Sequence, residues 1–419
     1  MALEACDVVV VGGGVIGRSV AAEVAAGGAS VVVVEPGGAT HGTSLGNAGH
    51  LVPSHIVPFS APGMVKAGIN SLIARNGAFA ISPRVVPGIT GWLWRFARSA
   101  NEANVKRGLP ALRSMLDATV AGVHELRAAG AEVDFIPTGL LQIASSPKSW
   151  AGVRHEMEEW THHGVNAREL DAKQVLEHEP LLRPGILGGV LLLDDACFDP
   201  TLLVKAITAR GASLGVTDVT ASAQRIERVP GGVVVHTSAG PVKAAQVVVA
   251  AGVWSPSLLK PFGITVPVRP ARGDSVTLPY GPGVPKPGVG MMMVDQKVAL
   301  SPLSRGLRIT GRFGLTSASD RALNMKRAQT LIRKVGSVLE LDPNTAPKEV
   351  WTGLRPATPD GLPLLGRVPG APEVIASVGH GMLGSTTSIG SAKAVAAVVR
   401  GDETPFDMTP VAPARFSRR

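Results

Sequence analysis

The stretch "DVVVVGGGVIGRSVAAEVAAGGASVVVVE", Asp7 to Glu35, decides the fold. Val8 to Val11 is a β-branched run too short for a typical helix, and it reads as a buried strand. Gly12, Gly14 and Gly17 follow in G-x-G-x-x-G spacing. Ala21, Ala22, Val24 and Ala25 recur at helical intervals until Gly27-Gly28. A second valine run, Val31 to Val34, ends in Glu35. Gly12 permits a tight turn, Gly14 lets the backbone approach a pyrophosphate, and Gly17 lets the helix lie close on the strand. The helix N-terminus offers N–H groups and a positive dipole end to the phosphates. Glu35 lies 18 positions after Gly17, where an acid accepts hydrogen bonds from a ribose and repels a 2′-phosphate. Strand, turn, helix, strand and acid in this order predict an adenine dinucleotide other than NADP. Its contacts are expected at Val11, Gly12, Gly14, Val15, Ile16, Gly17, Glu35 and Pro36. The unit alone does not separate FAD from NAD.

The 419 residues are 45% hydrophobic and 17% charged, a globular composition with length for a large core. The net charge of +9 describes a basic surface, but aromatics are only 4% and no basic cluster is interleaved with them. Nucleic-acid binding is disfavoured. Cys6 and Cys197 make no disulfide framework and have no Cys or His at metal-ligand spacing, so no metal is expected. No apolar run approaches the ~20 residues that span a bilayer. With no basic, secretory-type start at residues 1–10, a cytoplasmic protein is expected.

Pro36 to His55 lacks periodicity and reads either as a functional loop, in which Thr43, Ser44, Asn47 and Gly49 can meet a ligand, or as a mobile surface loop. Residues 79–107 mix Phe79, Trp92, Trp94 and Phe96 with Arg84, Arg95, Arg98, Lys106 and Arg107. This is either a patch for a membrane face or partner, or a helical cap with snorkelling arginines, and the cap is favoured. Leu112 to Leu126 reads as a helix ended by Gly130, and Val133–Ala144 and Ile186–Leu193 as strands. Asp199-Pro200 starts a helix through Leu214. Strands return from Val216 to Gly252 and over Val266–Leu278, and Ser319–Leu341 reads as a helix. Val374–Val378 is a strand, Gly379, Gly381 and Gly384 form a turn, and Ser391–Val399 is helical. That helix N-terminus can face a developing negative charge. His380 beside it is either catalytic or a loop histidine bonded to backbone. In "GLRPATPDGLPLLG", Gly353 to Gly366, Arg355 is a permanent cation among turn formers. It pairs either with Asp360 or with a ligand carboxylate.

The order G-x-G-x-x-G, acid, "TSLGNAGH", "VVVAAGVWS", "GLRPATPDGLPLLG" and "GHGMLG" resembles the FAD-dependent D-amino acid oxidase superfamily. "TSLGNAGHLVPSHIVPFSAPGM" is most similar to its D-amino acid dehydrogenase branch. The resemblance implies an α/β fold: a discontinuous Rossmann-like FAD-binding domain with an inserted α+β substrate domain carrying an antiparallel sheet. The segments expected are 1–80, 195–262 and 345–419 for FAD, and 81–194 and 263–344 for substrate. It implies non-covalent FAD, with further contacts at Thr43, Ser44, Asn47, Ala48, Gly49, Val219, Ala251, Gly252, Gly379, Gly381, Met382 and Leu383. It places Arg355 on the substrate carboxylate, where a guanidinium gives two parallel hydrogen bonds. His380 is then a catalytic candidate, and His50 and Asp274 substrate-binding ones. Asp274 and Ser385 stand where the dehydrogenase branch often has aromatic residues, and Asp274 would favour a cationic substrate group.

The activity implied is oxidation of a D-amino acid, or of a D-proline or D-hydroxyproline type, by hydride transfer from Cα to flavin N5. The acceptor would be a quinone or oxygen, and a quinone would bring peripheral contact with the inner face of the plasma membrane. The alternatives are a flavoprotein subunit of a hetero-oligomeric opine or amino-acid dehydrogenase, with partner subunits, and a sarcosine or glycine oxidase-like enzyme.

Overall fold

The computed structural model describes residues 5–37, 42–58, 60, 79–81 and 85–417. Its first sheet is built around the valine runs. Cys6–Val11 lies parallel to Val31–Val34 on one side and to Gly240–Val249 on the other. Thr217–Val219 extends the parallel set beyond Val31–Val34, and Ala371–Val378 extends it beyond Gly240–Val249. Antiparallel Leu364–Val368 closes that edge. The runs are continuous because both faces are covered. Val8, Val10 and Val33 pack under Val15–Ala26, Glu102–Ala128 and Gly384–Arg400. Val9, Val11, Val32 and Val34 pack against the antiparallel Ala223–Val229, Gly232–Thr237 and Gly240–Val249.

The second sheet runs in the order 349–357, 269–278, 306–315, 298–303, 290–293, 140–144, 188–192 and 167–171. It is antiparallel except between Gly290–Met293 and Leu140–Ala144, and where Phe79–Ile81 joins Gly306–Leu315. Leu331, Ile332 and Val335 of the helix Met325–Gly336 seal one face against Val276, Leu278 and Ile309. Near its first strands the other face looks onto the dinucleotide unit. The strand carrying Arg355, Glu349–Ala357, belongs to this second sheet, although the sequence assigned 345–419 to the first unit. Likewise Glu102–Ala128, assigned to the substrate segment, packs on Gly384–Arg400. Gly390 donates its N–H to Thr119 there at 3.0 Å.

Several expected elements differ in length. The strand forecast over Val133–Ala144 is reduced to Leu140–Ala144, because Asp134 and Gly139 take positive φ, +48° and +78°. The helix forecast from Ser319 starts at Met325, behind the side-chain cap of Asn324. The first part of the run from Val216, "VTDVTASAQRI", divides between two strands, Thr217–Val219 and Ala223–Val229. The helix forecast from Ser391 already begins at Gly384. Asp199 caps Pro200–Ser213 as expected, accepting from the Thr201 N–H at 2.7 Å.

In the aromatic-basic segment, Trp92 is buried and stacked on Phe96 at 5.5 Å. Both join Phe313, Leu315 and Ala357 in one cluster, so the helix Val86–Ser99 caps the second sheet. Trp94 faces solvent under the Arg98 guanidinium. Arg84, residues 38–41 of the Pro36–His55 loop, residues 59 and 61–64 of the "TSLGNAGHLVPSHIVPFSAPGM" stretch and the Phe79 side chain lie outside the described set. Among the described residues no helix is long and apolar enough to cross a membrane. None of their His, Cys, Asp and Glu side chains form a group of three that could hold a metal.

Candidate active site

A cavity of about 660 Å³ runs from the first sheet to the second. At one end lie Val11, Gly12, Gly14, Val15 and Ile16, with Glu35 and Pro36. Gly12 has φ +112°, and a Cβ there would sit 2.5 Å from the Ala250 carbonyl oxygen. A Cβ on Gly17 would sit 1.8 Å from the Gly12 oxygen. Gly17 is therefore a packing glycine behind the cavity rather than part of its lining. Gly14 caps the helix without a side chain, leaving its first turn to a ligand, except that the Val15 N–H donates to Ser44 Oγ at 3.0 Å. Glu35 Oε2 accepts from the Gly13 N–H at 2.7 Å, which fixes the carboxylate at the cavity edge.

Thr43, Ser44 and Asn47 line the middle. Asn47 organises this loop: its amide donates to the Ser44 carbonyl and to Ser385 Oγ, each at 2.7 Å, and its Oδ1 accepts from the Gly49 N–H. Ser385 thus ties the C-terminal turn to the N-terminal loop. Ala251 and Gly252 close the wall opposite, with Gly381 and Met382 beyond them. Ala48, Gly49, Gly379 and Leu383, also expected as contacts, are not among the residues that line the cavity. Nor is Val219: its carbonyl accepts from the Glu35 N–H, and Ser222, Ala223 and Gln224 line the cavity there.

Arg355 lines the far end. Its Nη1 donates to the Arg312 carbonyl at 3.1 Å, and among the described residues it forms no ion pair. Burial pulls its pKa down to about 10, partly offset by Asp274, so it remains a cation at neutral pH. Asp360, the alternative partner, is taken by Arg415 at 2.7 Å and 3.0 Å. The guanidinium lies over Gly273, whose Cβ would stand 2.0 Å from Nη1. Gly273 pairs across the strands with Gly353, and Trp351 covers Gly353 in the same way, its ring 1.9 Å from the missing Cβ. Two facing glycines therefore form a flat floor that carries a cation and an indole side by side. Trp351 was not singled out from the sequence. Two-residue strand periodicity from Arg355 through Gly353 would have found it. Trp254 and Arg321, stacked at 5.3 Å at the cavity rim, carry no such signal.

Two expected substrate residues do not reach the cavity. Asp274 is buried on the neighbouring strand, where Oδ1 accepts from Arg272 Nη2 at 2.9 Å and from the Thr352 hydroxyl. Arg272 also pairs with Asp320, and among the described residues Asp274 Oδ2 has no hydrogen-bond partner, so Asp274 lies behind the cavity wall rather than on it. His50 is bonded through Nε2 to the Leu300 carbonyl at 3.1 Å, and burial lowers its pKa to about 4. His380 does line the cavity, but its Nε2 meets Ser391 Oγ at 3.1 Å and burial lowers its pKa to about 3. It is neutral, and its partner is a hydroxyl rather than backbone.

A glycine cradle that excludes Cβ atoms, a free helix start, an acid at the ribose distance and a long continuous cavity fit FAD. The family model for FAD-dependent oxidoreductases, DAO, matches residues 7–398, and the chain belongs to that family. FAD is its cofactor. The chain is 32% identical to a D-amino acid dehydrogenase of Methylobacterium nodulans, over 94% of this chain and 95% of that one. A D-amino acid dehydrogenase of Vibrio cholerae is 30% identical over 96% of each. Glycine oxidase from Geobacillus kaustophilus shares the fold with a TM-score of 0.79 and 23% identity, over 99% of each chain.

Proposed function

We propose that this protein is an FAD-dependent amino-acid dehydrogenase or oxidase. Its substrate is a D-amino acid, or a small secondary amino acid of the proline type, with an uncharged side chain. The observation that carries this reading is Arg355, a cation that has no carboxylate partner among the described residues, at the cavity end away from the glycine cradle. Desolvating a guanidinium there is favourable only once an anion arrives. A substrate carboxylate is the anion that fits, held by two parallel hydrogen bonds. The relatives named D-amino acid dehydrogenase support the amino-acid class.

When bound, FAD supplies the two-electron acceptor for the Cα–H bond. The chain itself supplies orientation: one anchored carboxylate and one flat floor restrict how Cα can face the cofactor. Among the described residues lining the cavity, the titratable side chains are Glu35, Arg321, Arg355 and His380. Glu35 belongs to the cradle and His380 is neutral, so a substrate that binds with its amine already neutral suits the site. The imine product is hydrolysed to a 2-oxo acid, or stays cyclic from a proline-type substrate. Among the described residues no acid lines the Arg355 end of the cavity, which favours alanine-like or proline-like substrates over lysine or arginine.

The test is the visible spectrum of the purified holoprotein without oxygen. D-alanine, D-proline, D-hydroxyproline, their L-forms, sarcosine and D-lysine are added in turn. Bleaching of the flavin band by an uncharged D- or secondary amino acid is expected. Bleaching by D-lysine alone, or by none of the set, overturns the reading.

A further inference from the structure

The loop Thr43–Gly49 lines the cofactor cavity with one side and is held from the other side by the second sheet. The Leu45 and Asn47 carbonyls accept from Arg308 Nη1 at 3.4 Å and 3.1 Å. The Ala48 carbonyl accepts from Ser301 Oγ at 2.6 Å. Thr43 Oγ1 bonds both polar groups of the Leu354 backbone, at 3.2 Å and 3.3 Å. Gly46 lies against the Trp351 ring, where a Cβ would stand 1.9 Å from the indole. Buried backbone polar groups must find partners. Here the partners of the cofactor loop come from the strands of the substrate sheet.

Arg308 stands at the centre of this arrangement. It is completely buried, an uncommon state for a charged side chain. Besides the two carbonyls, its Nε donates to Thr277 Oγ1 at 2.8 Å and its Nη2 to Glu349 at 3.1 Å. One guanidinium therefore spans the strands 306–315, 269–278 and 349–357 and the loop. Glu349 is shared with Arg305 at 2.7 Å, and Arg305 bonds Asp199, the cap of the helix Pro200–Ser213. The charge of Glu349 thus stays answered even without Arg308.

We propose that Arg308 is a positioning residue for FAD, setting the Thr43–Gly49 loop through the Leu45 and Asn47 carbonyls so that the cofactor site is complete only when the substrate sheet is docked. The inference rests on FAD as the cofactor and is independent of which amino acid is oxidised. The test is FAD binding to apoprotein, followed by flavin fluorescence, in wild type, Arg308→Met and Arg308→Lys. The methionine fills the space without donors, and lysine keeps the charge but cannot span both carbonyls and Glu349. FAD Kd should rise by about tenfold or more in Arg308→Met, as a preorganised loop becomes a disordered one. Arg308→Lys should fall between that and wild type. Apoprotein melting should change less than holoprotein melting, since the effect resides in cofactor binding. A Kd within about twofold of wild type in both variants overturns the proposal. So does an equal loss of melting temperature with and without FAD, or failure of both variants to fold, because the arginine would then serve the fold as a whole.

Discussion

At the scale of single residues, Arg355 concentrates the chemistry. Replacing it with Met removes the cation while keeping most of the volume. Losing one partner of a buried, hydrogen-bonded charge pair costs about 2–5 kcal/mol, so amino-acid affinity should fall by about 30-fold or more while FAD remains bound. Titrating the flavin band with substrate under anaerobic conditions reads both quantities. Unchanged affinity would remove Arg355 from the carboxylate. Because burial brings its pKa only to about 10, affinity should lose this cation's contribution only as pH rises through about 10. Gly273→Ala is a subtler probe. The new Cβ would meet Nη1 at 2.0 Å, and the guanidinium, at the end of a flexible side chain, can swing aside. Substrate affinity should drop while the melting temperature holds, and the reverse pattern would place the strain in the sheet instead.

At the scale of elements, the valine runs and the glycine turn were legible because two-sided burial and close approach leave few residue types that fit. Gly17 illustrates this: its missing side chain makes room for the Gly12 carbonyl. Gly17→Ala should therefore part the helix Val15–Ala26 from its strand. Overpacking of this kind costs about 1–3 kcal/mol, seen as a lower melting temperature of apoprotein as well as weaker FAD binding. An apoprotein melting curve that does not move would contradict the packing role. The C-terminal helix was less legible. Its first turns, Gly384 to Ser391, are small and polar and carry no apolar stripe, yet most of them are buried against Glu102–Ala128. Small residues there let two helices come close, as at Gly390, where a Cβ would stand 2.2 Å from the Met115 carbonyl oxygen. Residue type supports a turn through Gly384 and a helix only from Ser391, whereas tertiary contact makes the residues between them helical too. Asp274 differs for a related reason: the sequence places it next to Gly273 but does not reveal that its Oδ1 bonds to Arg272 and Thr352 behind the cavity wall.

At the scale of the whole molecule, buried titratable groups set how the fold responds to acid. Burial holds His50 and His55 at about 4 and His380 at about 3, against 6.5 for a free histidine. Below pH 6.5 the unfolded chain takes up three protons that the fold refuses. Their contribution is full above 6.5 and is lost as pH falls toward the folded values. Asp195 opposes them. Burial lifts it to about 7 from 3.8, outweighing the two hydrogen bonds from Ser54, so between those values the fold carries a proton that the unfolded chain lacks. Three protons less one leaves two, and at about 1.4 kcal/mol per proton, stability should fall by about 3 kcal/mol per pH unit as pH drops from 6 toward 5. Asp195→Asn removes the opposing proton while keeping an oxygen for Ser54, and should steepen the slope toward three protons. Denaturant unfolding of both proteins at pH 5.0, 5.5, 6.0 and 7.0 reads the slopes directly. Parallel slopes would mean that Asp195 is ionised in the fold. Wild-type stability that stays flat or rises as pH falls would mean that at least two of the three histidines take up protons without unfolding.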